Sequence, residues 1–263
     1  MGTLILFNSA LILIVVALLL AVKKWVRSER AVRLLLLLAP IVTVAFHYSS
    51  FLYHLFFTGN GIAYLNSTPN LILPIYPCNV VMWCALAYGF LPRKSTPLAL
   101  LLSDYVFWFG IASTLVGMFA NVDFILNPTL RDFEVTKSIV AHATLLFNVL
   151  LIPVLGLLRP NFFRNMRNML FSVVGMYVIG LYCNLIFKVL VSSEAAYDVN
   201  SMFIIHSPFE GLPYLRYPLI ATIGLLLYLI LFTVCDAITA PRGDRWFDRA
   251  RAALRKDKTP PLE

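Results

Sequence analysis

Charge is scarce in this sequence. Asp, Glu, Lys and Arg make up 13% of its 263 residues against 60% apolar, where soluble domains carry roughly 25% charged residues. That balance excludes a water-soluble globular fold. Acidic residues are the rarer sign, 13 against 21 basic, and the resulting net charge of +8 would ordinarily suggest nucleic acid. The cations, however, sit between hydrophobic blocks, where they face anionic lipid and fix orientation, so no nucleic-acid partner is expected. Cysteine is sparse as well: Cys78, Cys84, Cys183 and Cys235 all fall inside or at the ends of apolar runs. No CxxC pair is present, which excludes a disulfide framework and a zinc knuckle. Internal repeats and low-complexity tracts are also missing. The first apolar run has no basic residue before it and no small-residue cleavage site, so it reads as a retained anchor rather than a signal peptide. Leu6 stands where a myristoylation signal needs Ser or Thr.

What the sequence has in abundance is long hydrophobic runs. A hydrocarbon core of about 30 Å takes roughly 20 apolar residues as helix. Seven stretches qualify: Thr3–Val22, Leu34–Phe57, Asn70–Leu91, Pro97–Phe119, Ser138–Leu158, Met169–Val191 and Tyr217–Ile238. They predict an all-α, polytopic membrane protein of about seven transmembrane helices, with residues 1–240 as one domain. Alternate connections and the tail hold 17 of the 21 cations. By the positive-inside rule the amino terminus lies outside and the carboxyl terminus in the cytoplasm, in a multi-pass protein of the cell membrane. Residues 241–263 form a basic tail. Within it Trp246, Phe247, Ala250, Ala253 and Leu254 recur at helical spacing, the pattern of an interfacial amphipathic helix or of a plain solubilising tail.

Orientation gives each reactive side chain a depth. His47, His54, His142, His206 and Cys78 all fall in the outer half. Pro74 and Pro77 disfavour regular helix before Cys78. A helix opening at Pro77 and running to Leu91 is about 22 Å long, too short to span. Leu71–Tyr76 must then be irregular backbone at membrane depth, which is tolerated only when buried in protein or lining a wet cavity. Cys78 would lie in the first turn of that helix, where unpaired N–H groups favour a nucleophilic thiolate; the plainer reading is a small buried hydrophobe beside a proline kink. His142 stands alone in an apolar helix, either as a hydrogen-bonded structural group or as a general base that exchanges protons with a cysteine. Asn79 or nearby backbone amides would stabilise an oxyanion. Asn184 and Lys188 share a face of the sixth span, and Lys188 either snorkels to the headgroups or meets a lipid phosphate. Asp104 is the one carboxylate read as intramembrane, either as a structural hydrogen-bond acceptor or as a partner for Arg93 or Lys94. The long connection 192–216 reads as a lid over the site or as a plain connection.

The elements LPIYPCN, DYVFWFGIASTLVGMF, SIVAHATLLFNVLLIPV and VNSMFIIHSP occur in this order between Leu71 and Ile238. Together they resemble the YwaF-like family of seven-helix bacterial proteins and their animal relatives. The resemblance implies a lipid acyltransferase in which Cys78 is the cysteine and His142 the histidine. Asn200 would match the asparagine of an Asn-Tyr-Met-like element, although Ser201 follows it here, and Tyr76–Pro77 before the cysteine departs from the family pattern. The expected activity is a transacylase on membrane glycerolipids, with Cys78 and His142 catalytic and Asn79, Asn184, Lys188 and Asn200 on the substrate. No cofactor and no metal is called for. Two other classes compete: a non-catalytic receptor, scaffold or transporter, and a metal-dependent lipid hydrolase suggested by the outer histidines.

Overall fold

The computed structural model describes residues 2–119, 129–190, 199–208 and 211–256. Every regular element among them is helical. In chain order these are α1 (Gly2–Trp25), α2 (Glu29–Tyr53), a short α3 (Gly61–Ser67), α4 (Pro77–Phe90), α5 (Pro97–Phe119), α6 (Phe133–Val154), α7 (Phe162–Leu190), α8 (Tyr217–Thr239) and α9 (Trp246–Lys256). Six of them, α1, α2, α5, α6, α7 and α8, are long and apolar enough to cross a membrane, while α4 is apolar but shorter. The chain is a polytopic, all-helical membrane protein.

Local chemistry sets most boundaries. Ser28 caps α2 by accepting the Ala31 N–H at 3.2 Å, so that helix starts at Glu29 rather than Leu34. Beyond Tyr53 it widens into one π turn, His54–Thr58, closed by Gly59 at φ +70°. Asp132 caps α6 by accepting the Glu134 N–H at 2.8 Å, and Gly156 at φ +69° lies just beyond its end. The third expected span, Asn70–Leu91, is helical only over Pro77–Phe90. Its fourteen residues reach about 21 Å, and the segment before Pro77 is a 3₁₀ turn at Pro69–Leu71 followed by irregular backbone.

Four helices form a ring around the main core. α6 packs along α2 and α5, and α4 packs along α5 and α2, whereas α4 and α6 scarcely touch. They are therefore diagonal partners across the ring. α1 lies outside against α6, and the α7–α8 pair leans on α5. The surface is inverted relative to a soluble protein: large apolar side chains such as Leu6, Phe171, Leu227 and Ile230 are exposed, the pattern of a lipid-facing wall. Polar side chains turn inward, as in membrane bundles where they hold helices together. Asn148 of α6 donates to the Thr43 hydroxyl of α2 at 2.8 Å, and Thr43 donates to Thr144 at 3.0 Å.

Cross-links also establish which ends lie together. Asn8 near the start of α1 donates to the Met118 carbonyl at the end of α5. Ser50 near the end of α2 donates to Glu134 at the start of α6. The opposite end holds the basic connections, and there Asp104 serves as a buried hydrogen-bond acceptor. Arg93 and Lys94 are not its partners. Its Oδ2 accepts from Arg164 Nε at 3.2 Å and Asn168 Nδ2 at 2.8 Å, both on α7, because Lys94 is drawn back onto the last carbonyls of α4, at Tyr88 and Gly89. Asp236 of α8 is a second buried carboxylate within a span; it accepts the Trp246 N–H at 2.7 Å. This bond ties α9 to α8, and Trp246 stacks on Phe162 at 4.7 Å, so the tail is helical where the periodicity predicts it.

Gly89 carries the closest approach between α4 and α2, since a Cβ there would fall within the van der Waals envelope of the Leu36 carbonyl oxygen. Gly89→Ala must push two backbones apart, and overpacking of this kind costs about 1–3 kcal/mol. A lowered midpoint of thermal unfolding in detergent is the expected result, with Gly175→Ala, which has open space around it, as the control for helix propensity.

Candidate functional site

The start of α4 is held from two sides. Tyr76 is extended (φ −117°, ψ 153°) and its N–H donates to Asn79 Oδ1 at 3.2 Å, the reciprocal half of a capping box. From the other side comes the connection between α7 and α8. Ser201 donates its hydroxyl to the Ile75 carbonyl at 3.0 Å, and the Met202 N–H donates to the same oxygen at 2.9 Å. Asn184 on α7 fixes Ser201 in turn, accepting its N–H at 2.7 Å. Asn200 shapes the turn from within: its Oδ1 accepts from the Ile205 N–H at 3.0 Å and its Nδ2 donates to the His206 carbonyl at 2.7 Å. Met202 and Phe203 both occupy the left-handed region, at φ +55° and +57°. Gly180 leaves room for this turn, because a Cβ there would lie 2.8 Å from Met202 Cγ. Of the connection 192–216, residues 192–198 and 209–210 lie outside the described residues, and residues 199–208 dip back onto the start of α4. They form a buckle fastened onto the irregular backbone that leads into Cys78.

Cys78 is half-buried and packs against the main core. Its sulfur is approached by the backbone N–H groups of Cys78 itself and Asn79. All four cysteines are free, and Cys183 is buried in packing beside Ile75 and Phe187. His142 lies on α6. Its Nδ1 is 2.7 Å from the Ser138 carbonyl, and a carbonyl can only accept, so the neutral ring carries its proton on Nδ1 and leaves Nε2 as a bare acceptor. Nε2 points at Gly117 of α5, where a Cβ would collide with the ring.

Cys78 and His142 are brought to the same end of the ring, but not into contact. No hydrogen bond joins them among the described residues. Their relative depth follows from Gly110, which packs against Val81 of α4 and Val149 of α6 at one level. Cys78 is three residues outward from Val81, and His142 seven outward from Val149. At 1.5 Å per residue the two are offset by about 6 Å along the bundle. They sit on diagonal helices, whose axes at ordinary packing distances lie about 11–14 Å apart.

The other expected site residues divide. Asn79, Asn184 and Asn200 all reach the start of α4 or the buckle, and their recorded bonds are to backbone. Lys188 is exposed, and no ion pair holds it among the described residues. His47 is bound to the Asn70 carbonyl at 3.0 Å. His54 stacks on Tyr64 at 3.9 Å and lies 3.4 Å from Glu134. Among the described residues no three His, Cys, Asp or Glu side chains converge on a metal-sized centre. Sequence reasoning missed Glu134 altogether. It gathers Ser50 and Tyr64 hydroxyls at 2.7 and 2.8 Å and Lys137 at 3.3 Å, cross-linking α2, α3 and α6. The readable signal was Glu134–Lys137 at i, i+3 just after the Asp132 cap.

Comparison with known proteins adds one finding. The family model described as the TMEM164 family matches residues 2–234. The chain belongs to the TMEM164 family. No curated protein and no solved structure matches it. The likeness to YwaF-like proteins rests on the sequence motifs alone.

Gly117→Ala is expected to drive the His142 ring out of its seat and into another rotamer while Cys78 keeps its place. Alkylation of Cys78 with a small maleimide should be unchanged. The histidine ring resonances of selectively labelled protein should shift, and unshifted resonances would contradict the contact. Asn184→Ala should release Ser201 and raise Cys78 alkylation several-fold.

Proposed function

We propose that this protein is a membrane-embedded acyltransferase that moves an acyl chain between membrane glycerolipids, with Cys78 as nucleophile and His142 as general base and acid. What supports this reading is that one thiol and one imidazole, its Nε2 a bare acceptor packed against Gly117, lie at the same end of a four-helix ring on diagonal helices. In the first half-reaction the Cys78 sulfur attacks the ester carbonyl as His142 Nε2 takes the thiol proton. The carbon–oxygen bond breaks, His142 returns the proton to the departing glycerol oxygen, and the acyl group remains on sulfur as a thioester. An acceptor hydroxyl, from a lysolipid or water, then attacks the thioester while His142 takes its proton, and the thiol is restored. The Cys78 N–H, in the first turn of α4, is the backbone donor nearest to a developing oxyanion, whereas the Asn79 N–H is already donated to the Tyr76 carbonyl at 3.0 Å. Asn184 and Asn200 fit the role of supports for this start, and Lys188 is an exposed cation for a lipid phosphate. Because the pair is not in contact and Nε2 faces Gly117, this proton transfer requires the His142 ring to turn toward α4 or a water to bridge it to the thiol. The multi-pass chain would work in the cell membrane with glycerolipids as its partners.

A non-catalytic role in lipid binding or scaffolding has one observation in its favour, the missing thiol–imidazole hydrogen bond. A single assay separates the two readings. Wild type, Cys78→Ala and His142→Ala are reconstituted with a phospholipid labelled in one acyl chain and an unlabelled lysolipid, and label transfer is followed. Loss of a positioned general base costs about 10²–10⁴ in rate, so transfer should fall at least that far in His142→Ala and vanish in Cys78→Ala. A hydroxylamine-labile acyl adduct should form on wild type. Equal transfer by all three proteins, or none by wild type, would refute the acyltransferase reading.

A further inference from the structure

About fifteen ångströms from Cys78 toward the basic end by helix rise, α2, α4, α5 and α6 line a small, partly open cavity. Leu36, Pro40, Tyr88 and Asn148 line it, with Val106 and Ile152 among the apolar walls, and it leaves about 10 Å³ for the centre of a water-sized sphere. By that measure a single water needs roughly 10–15 Å³. Tyr88 is 2% exposed and Asn148 4%. The Tyr88 hydroxyl and the Asn148 Oδ1 are both buried and have no hydrogen-bond partner among the described residues. One is a donor and the other an acceptor, and buried polar groups left in this state cost about 1–3 kcal/mol each. A third group belongs to the same place. Pro40 has no N–H, so the Leu36 carbonyl lacks the donor that position 40 supplies in an ordinary helix. In membrane helices a proline is accommodated when neighbouring helices, hydroxyls or ordered waters satisfy the freed carbonyl.

We propose that this cavity is a binding site for one water molecule. It would accept from the Tyr88 hydroxyl and donate one proton to Asn148 Oδ1 and the other to the Leu36 carbonyl. Three partners match the usual coordination of a buried water. The site joins three of the four ring helices at the point where α2 is broken by proline and where Gly89 brings α4 onto Leu36. The inference is independent of the chemistry proposed at Cys78.

Radiolytic footprinting of the wild-type protein in nanodiscs tests it. Hydroxyl radicals formed from a bound water modify side chains that bulk solvent does not reach. Tyr88 should be oxidised several-fold faster than Tyr105, a tyrosine of similar burial whose hydroxyl donates to Met176 Sδ at 3.0 Å. Pre-equilibration in ¹⁸O-water should place the heavy isotope on Tyr88. Modification of Tyr88 no faster than of Tyr105 would mean a dry void and would overturn the proposal. Independently, the fall in unfolding midpoint for Tyr88→Phe plus Asn148→Leu should be smaller than the sum of the two single falls, because either substitution already strips the water of a partner. Strict additivity counts against it.

Discussion

α4 is too short to cross a bilayer, and the rest of the outer half is built around that fact. Its fourteen residues end at Pro77 because Pro77 opens the helix and Pro74 keeps the preceding backbone out of it. The five residues of irregular chain before it, 72–76, must then find partners within the protein. The Ile75 carbonyl is the most demanding group among them. It is met twice, by the Ser201 hydroxyl and the Met202 N–H, and Ser201 is held by Asn184. A break in one helix has therefore recruited a segment more than a hundred residues downstream. In doing so it has set the position of the one cysteine that follows the break.

The ring has a related logic on a larger scale. α2 is interrupted by Pro40, α4 is short, and α5 and α6 are the most enclosed of the long helices. Glycines allow the closest approaches, Gly89 against Leu36, Gly110 against Val149 and Gly117 against His142. In lipid there is little hydrophobic force to press helices together, so close packing and interhelical hydrogen bonds carry association. The chain from Asn148 through Thr43 to Thr144 and the cluster at Glu134 supply those bonds at two depths between α2 and α6. That distribution explains why α4 and α6 are left free of one another: each is fastened to α2 and α5.

Much of this was legible from sequence, and the reasons differ by element. The long spans follow from runs of about twenty apolar residues. The broken third span follows from two prolines and simple helix rise, and the structure places its start at Pro77 as that arithmetic requires. The Asp104 partner was not legible. Arg93 and Lys94 are close in sequence, but Arg164 and Asn168 are close across α5 and α7, and nothing local encodes that pairing. Glu134 escapes the hydropathy pattern because the apolar run begins at Ser138, while the helix starts at Phe133 with a polar first turn. Asp236 was visible inside an expected span and carries a capping role that only the fold of the tail reveals. Lys188 illustrates the opposite case, since sharing a helical face with Asn184 says nothing about a partner, and Asn184 alone is engaged.

The buckle shows how the fold stores a constraint where it is useful. Two consecutive non-glycine residues, Met202 and Phe203, are held left-handed, at a cost of order 1–3 kcal/mol each. Three hydrogen bonds from Asn200, two bonds on Ile75 and the pairing of Asn184 with Ser201 offset that cost. Each of these bonds has a backbone partner, so the start of α4 is fixed by the main chain of the buckle rather than by side-chain packing alone. Cys78 is thus positioned from α7 through Asn184, Ser201 and Ile75, while His142 is seated by the Ser138 carbonyl on its own helix and by Gly117 on α5. The two side chains are held by separate parts of the fold, so a change in the seat of one leaves the other in place.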